Sequence, residues 1–189
     1  MGVRAPATNT DGSSVCAVIL LSFMSQPASP IPDSAYANIS SMSAISGVTN
    51  EISHLILGLD HVGIAVPNLQ ESLAFYEGSL GLQCHHTEVN EEQGVEEAML
   101  KFSEGKSEIQ LLAPLGPDTT IGKFLAKQGP GIQQLAFSVK DVVEVAQILQ
   151  SRGVRMLYPE PRVGTAGSLV NFAHPRDCGG VLIEFVQHS

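Results

Sequence analysis

Four polar side chains recur at matched places along this chain: His61, Gln110, Gln134 and Glu184. His61 and Gln134 are each the third residue of a run, Leu59 to Val66 and Ile132 to Val139, whose residues alternate as in a half-buried strand. Gln110 and Glu184 are each the third residue of a second kind of run, Glu108 to Leu112 and Leu182 to Val186. One imidazole, two amide oxygens and one carboxylate form a ligand set for a divalent cation, with positions left open for a substrate. A single His beside Asp60 is ordinarily structural, and a single Glu near a C-terminus is ordinarily solvated. Here all four interrupt runs of Val, Ile, Leu and Phe, where an unpaired carboxylate is costly, and they match in pairs. Together they point to one metal centre. A further acid, Glu97, stands just before the apolar Ala98-Met99-Leu100, whereas Glu91, Glu92 and Glu96 read as a solvated edge.

The elements that must carry these residues form an internal repeat. After the first strand, Pro67-Asn68 opens a helix over Leu69 to Leu80, with Leu69, Leu73, Phe75, Tyr76 and Leu80 as its apolar face. After its counterpart, Lys140-Asp141 opens a helix over Val142 to Ser151, with Val142, Val145, Ala146 and Leu149 on one stripe. Asp141 and Glu144 have the spacing of a capping box, and Gly81 and Gly153 stand where a left-handed cap ends each helix. Ala98 to Phe102 then answers Val170 to Phe172, and the last strands follow Gly105 and Gly179-Gly180. The offset is 73 positions at His61 and Gln134 and 74 at Gln110 and Glu184. The expected class is α+β, with two β-α-β-β-β modules at about 57–115 and 130–187 whose pseudo-twofold relation brings the four side chains into one cleft.

Composition bounds what such a cleft can bind. The 189 residues carry a formal charge of −9 and are 43% apolar, enough for one domain with a sizeable core. Nucleic acid is excluded as a partner because phosphate binding needs a clustered excess of Lys and Arg. Cys16, Cys84 and Cys178 have no CxxC spacing, which argues for a reducing, cytoplasmic setting. Residues 1–53 read as a disordered leader or a mis-assigned N-terminal extension, with Met24 or Met42 as the initiator. Its apolar run, Val15 to Met24, is ten residues long, against the roughly 20 that a bilayer-spanning helix needs, so no membrane partner is expected.

Several segments resemble the methylmalonyl-CoA epimerase family of the vicinal oxygen chelate (glyoxalase/bleomycin resistance/dioxygenase) fold. They are DHVGIAV at 60–66, EQGVEE at 92–97, QLLAPL at 110–115, IGKFLAK at 121–127, YPEPRVG at 158–164, NFAHP at 171–175 and GVLIE at 180–184. The first of these marks only the superfamily; EPRxG, the strand ending in His174-Pro175, and GVLIE are more specific. The resemblance covers Leu59 to Gln187 and implies a domain over 55–187 forming one incomplete mixed-sheet barrel around a metal cleft. It implies metal ligands His61, Gln110, Gln134 and Glu184, catalytic acids Glu97 and Glu184, and a homodimer. The substrate would be a CoA thioester whose C2 proton is removed and returned, and the cofactor a divalent ion (Co²⁺, Mn²⁺, Mg²⁺ or Zn²⁺). The chain departs from the family at one ligand, having Gln133-Gln134 where the family has His-His. An amide oxygen is a weaker donor than imidazole toward softer ions, so looser binding and a shift toward Mg²⁺ or Mn²⁺ are expected. Two alternatives share the fold: a glyoxalase-type lyase or isomerase acting on a glutathione adduct, and a catalytically silent binding module. Gly164 to Ser168 is expected to be a mobile loop over the cleft, with Arg162, Lys123 and Lys127 as candidate contacts for CoA phosphates. His174 should structure a turn, and His85 and His86 should lie at the surface.

Overall fold

The computed structural model describes residues 50–189; residues 1–49 of the expected leader, with their apolar run, lie outside the described residues. A helical turn, α1 (Asn50–Ser53), leads into β1 (Ile56–Ala65), α2 (Leu69–Gly78), β2 (Gln83–Asn90), β3 (Val95–Lys101) and β4 (Glu108–Pro114). Then come α3 (Thr120–Gln128), β5 (Gly131–Val139), α4 (Val142–Ser151), β6 (Arg162–Val163), β7 (Leu169–Ala173) and β8 (Leu182–Gln187). The strands form one curled, incomplete mixed sheet in the order β2-β3-β4-β1-β5-β8-β7-β6. Two β-α-β-β-β modules therefore join along β1 and β5, as the repeat implied.

The pairing register carries the pseudo-symmetry down to single residues. Gly63 of β1 pairs with Gln110 of the parallel β4, and Ala136 of β5 pairs with Glu184 of the parallel β8. Across the central antiparallel pair, Gly63 faces Gln134 and His61 faces Ala136. Exchanging the modules swaps these pairs into each other, so the four polar residues must fall on four neighbouring strands.

Alternation then sends them to one face. Leu69 and Leu73 of α2 pack against Val66, Ala98, Leu100, Leu111 and Ala113. Val142 and Val145 of α4 pack against Val139, Ala173 and Phe185. Each fully buried Leu or Val in these layers contributes about 1.5–3 kcal/mol. Since the helices cover these positions, residues one place along each strand, such as Gln110, Gln134 and Glu184, face the opposite, concave side. Local chemistry sets the helix ends as expected. Asn68 accepts from the Glu71 N–H at 3.0 Å and Asp141 from the Glu144 N–H at 2.9 Å, while Gly81 and Gly153 take φ of 74° and 83° after each helix.

Two details differ from the expected pattern. The first helix stops at Gly78, so Leu80 lies in the turn and is exposed. Phe75, off the Leu69–Leu73 stripe, is also exposed and meets Tyr76 edge-on at 5.3 Å between ring centroids. The modules are also unequal. β2 runs eight residues, whereas β6 has only two, and a loop replaces the missing length. That loop turns through Thr165–Gly167, with Ala166 at φ 52°, a left-handed conformation that a non-glycine residue adopts at a cost. Among the described residues, no helix is long and apolar enough to cross a membrane.

Candidate active site

The concave face lines a cleft of about 910 Å³ that includes Glu97, Gln110, Gln134, Thr165 and Glu184. Such a volume suits a sizeable small molecule. His61 does not line the cleft itself but lies behind Gln134 and Glu184, and His61, Glu97, Gln110, Gln134 and Glu184 are all 7% exposed or less. Polar groups this deep must find partners, and they find one another.

Around the Gln134 amide nitrogen the other three expected ligands converge. It lies 2.5 Å from Glu184 Oε2, 3.3 Å from Gln110 Oε1 and 3.5 Å from His61 Nε2. His61 Nε2 in turn lies 3.2 Å from Glu184 Oε2. The other imidazole nitrogen donates to Asp60 Oδ1 at 2.9 Å, and Asp60 Oδ2 takes a second bond, 2.6 Å, from His188. Asp60 thereby fixes the ring so that Nε2 points into the cleft, as carboxylates behind ligand histidines do. Burial alone would lower the His61 pKa, but hydrogen bonds with Asp60 and Glu184 outweigh it and raise the pKa to about 9. Burial alone would raise that of Asp60; its bonds with His61 and His188 bring it below the usual value.

Glu97 sits on the next strand out. Gln110 Nε2 donates to its Oε2 at 2.9 Å, and the Thr165 hydroxyl donates to its Oε1 at 2.6 Å. Burial pushes the Glu97 pKa up; the Thr165 bond opposes that shift, and the charges of Glu88 and Glu184 add to it. A buried carboxyl with a raised pKa can both take and return a proton. The result is a continuous chain of side chains, Thr165–Glu97–Gln110–Gln134–Glu184–His61–Asp60–His188.

The donor set suits a hard divalent ion. Three atoms, His61 Nε2, Gln110 Oε1 and Glu184 Oε2, surround one point, and rotating the Gln134 amide would supply a fourth from its oxygen. Among the described residues, no three His, Cys, Asp or Glu side chains are arranged so that they alone could hold a metal ion. Half of the expected ligand set is amide, so acidic and imidazole residues alone do not complete it.

Other expected residues separate into cleft and surface. Arg162 lies at the rim, 4.2 Å over the Tyr158 ring and 3.7 Å from Glu92 Oε1, while Lys123 and Lys127 are not among the cleft-lining residues. His174 accepts from the Arg176 N–H at 3.1 Å and so structures its turn. His85 and His86 lie at the surface beside Glu108 and Glu88. Three contributors were not singled out by sequence. Asp60 was signalled by its adjacency to His61. Thr165 was visible only as part of a glycine-rich loop. Gln133 also lines the cleft, and its buried Oε1 has no hydrogen-bond partner within the protein.

Comparison with known proteins gives this geometry its family. Residues 60–172 match the Glyoxalase/Bleomycin resistance protein/Dioxygenase superfamily. The human mitochondrial methylmalonyl-CoA epimerase is 37% identical over 130 residues, covering 68% of this chain and 73% of the human one. The crystal structure of the methylmalonyl-CoA epimerase from Mycobacterium tuberculosis is 46% identical with a TM-score of 0.71, covering 75% of this chain and 95% of that one. A methylmalonyl-CoA epimerase solved in complex with methylmalonyl-CoA and NH4+ is 47% identical with a TM-score of 0.68, covering 71% and 96%. By sequence, superfamily match and fold together, this chain belongs to the methylmalonyl-CoA epimerase family.

Proposed function

We infer that this chain is an epimerase that interconverts (R)- and (S)-methylmalonyl-CoA by removing and returning the proton on C2. The observation that carries this reading is the unbroken hydrogen-bonded chain from Glu97 through Gln110 and Gln134 to Glu184, buried at the floor of a cleft that opens to solvent. The C2 proton lies between a thioester and a carboxylate. Its removal shifts an electron pair onto the thioester oxygen, and reprotonation from the other face inverts the centre.

Glu97 is the base for one face. Both of its oxygens are held by side-chain donors, so the carboxylate has one orientation and keeps a lone pair on each oxygen for the substrate. Glu184 is the acid or base for the opposite face, and it is held by Gln134 and His61. Proton transfer by such positioned groups contributes roughly 10²–10⁴-fold. His61, Gln110, Gln134 and Glu184 are the residues that would hold a divalent ion, with Mg²⁺ or Mn²⁺ favoured over Co²⁺ or Zn²⁺ by the two amides. When bound, that ion supplies Lewis-acid stabilisation of the charge on the thioester oxygen. Thr165 and its loop shield Glu97 from water. Arg162 stands where it can meet the phosphates of CoA. The unpaired Cys84 and Cys178 favour a cytoplasmic setting.

The test is proton exchange. Incubation with methylmalonyl-CoA in deuterated water, with and without added divalent ion, should give deuterium at C2 and interconversion of the stereoisomers. Saturable binding without exchange would leave a silent binding module, and consumption of a glutathione adduct instead would make it a glyoxalase-type enzyme.

A further inference from the structure

Gln134 does more in this cleft than stand in for an imidazole. Its inward atom has three near neighbours, and two of these, Glu184 Oε2 and Gln110 Oε1, can only accept hydrogen bonds. An amide oxygen turned inward would face both of these acceptors, with only the more distant His61 Nε2 beside it to share a proton. The partners themselves therefore place the nitrogen inside. Gln110 is oriented to match: its nitrogen serves Glu97 and Thr165, which leaves its oxygen for Gln134.

The backbone has been cut to seat this side chain. Gly63 is the register partner of Gln134 across β1 and β5. A Cβ at Gly63 would lie 2.6 Å from Gln134 Cγ and 3.1 Å from its Cδ, too close for any other residue to be tolerated without moving the amide.

An amide nitrogen has no lone pair to offer a metal, yet this one occupies the point on which the other three ligand atoms converge. We propose that Gln134 is the chain's own occupant of the cation position. Its N–H groups hold the cleft assembled with no ion bound, and a divalent ion enters only by turning the amide so that its oxygen faces in. Turning it breaks the bonds to Glu184 and Gln110, and that cost is subtracted from the affinity of every ion. Gln134 thus sets how tightly an ion binds. The inference concerns the ligand set alone; its catalytic consequence rests on the epimerase reading.

The experiment uses the full chain stripped with EDTA and no substrate, so its failure is distinct from failure of the exchange assay. The side-chain NH2 of Gln134 is followed by ¹⁵N NMR, assigned through its contacts to the Gly63 Hα protons. It should exchange slowly with water in the stripped chain and lose that protection as Mg²⁺ is titrated in. Co²⁺ titration by calorimetry should show the Gln134→His variant binding roughly 10- to 100-fold tighter than the parent, since the imidazole has no pair of donated bonds to give up. Fast exchange in the stripped chain would overturn the proposal, as would Co²⁺ binding to the parent as tight as to the variant. If the variant does not fold, the NMR measurement on the parent decides the matter alone.

Discussion

At the scale of single residues, the proposed chemistry depends on how few groups hold Glu97. Its carboxylate is buried, and Gln110 and Thr165 approach it from two different parts of the chain. Replacing it with Gln keeps the size and the ability to pair with both neighbours but removes the proposed base. Glu97→Gln should therefore lower turnover by roughly 10²–10⁴-fold while leaving CoA-thioester and metal affinity close to those of the parent. Steady-state rates beside binding titrations check this, and near-normal turnover would remove Glu97 from the mechanism. Asp60 acts one step back by orienting the imidazole, and the Gln134 nitrogen lies among the other three proposed ligands. Asp60 could be suspected from its place beside His61. The inward nitrogen of Gln134 could not, because the sequence prints an amide without saying which end meets Glu184.

At the scale of elements, the site is held by strand pairing and by the loops that end the strands. The turn after β7 is an example. Arg155 donates to Asp177 from its backbone N–H at 3.0 Å, from Nε at 2.8 Å and from Nη2 at 2.8 Å. The Arg155 guanidinium brings the Asp177 carboxyl down from 3.8 to about 2. A carboxyl whose pKa is depressed on folding stabilises the protein above its unfolded value and loses that contribution as pH falls through the folded one. The pair is half exposed, so solvent limits its worth to about 1 kcal/mol at most. Urea melts of the parent and of Asp177→Asn should differ by a constant amount above about pH 4 and converge toward pH 2. A gap that persists at pH 2 would show that the bond acts through packing and not charge. Most of these elements were legible beforehand because both helices carry side-chain caps and glycine stops. The unequal hairpins were not, since nothing in Arg162-Val163 says that β6 ends after two residues.

At the scale of the whole molecule, charge opposes the proposed substrate. A net charge of −9 repels a CoA thioester, and Arg162 at the cleft rim already stands near Glu92. Raising the ionic strength shortens the Debye length to about 8 Å at 0.15 M and screens this repulsion. Stopped-flow binding of a non-reactive CoA thioester should therefore speed up with added salt, and slowing would reveal a local cationic funnel. The homodimer implied by the family is a matter for light scattering on the full chain. The sequence by itself determined the two modules, their registers and the identity of the four polar residues, because period-two alternation and a repeat offset are properties of the chain alone. Only the tertiary structure decided that Thr165 reaches Glu97 across 68 positions and that the Gln134 nitrogen sits among His61, Gln110 and Glu184. Those contacts depend on the curl of the sheet and on mutual hydrogen-bond satisfaction in a dry cleft, and neither is written in local sequence.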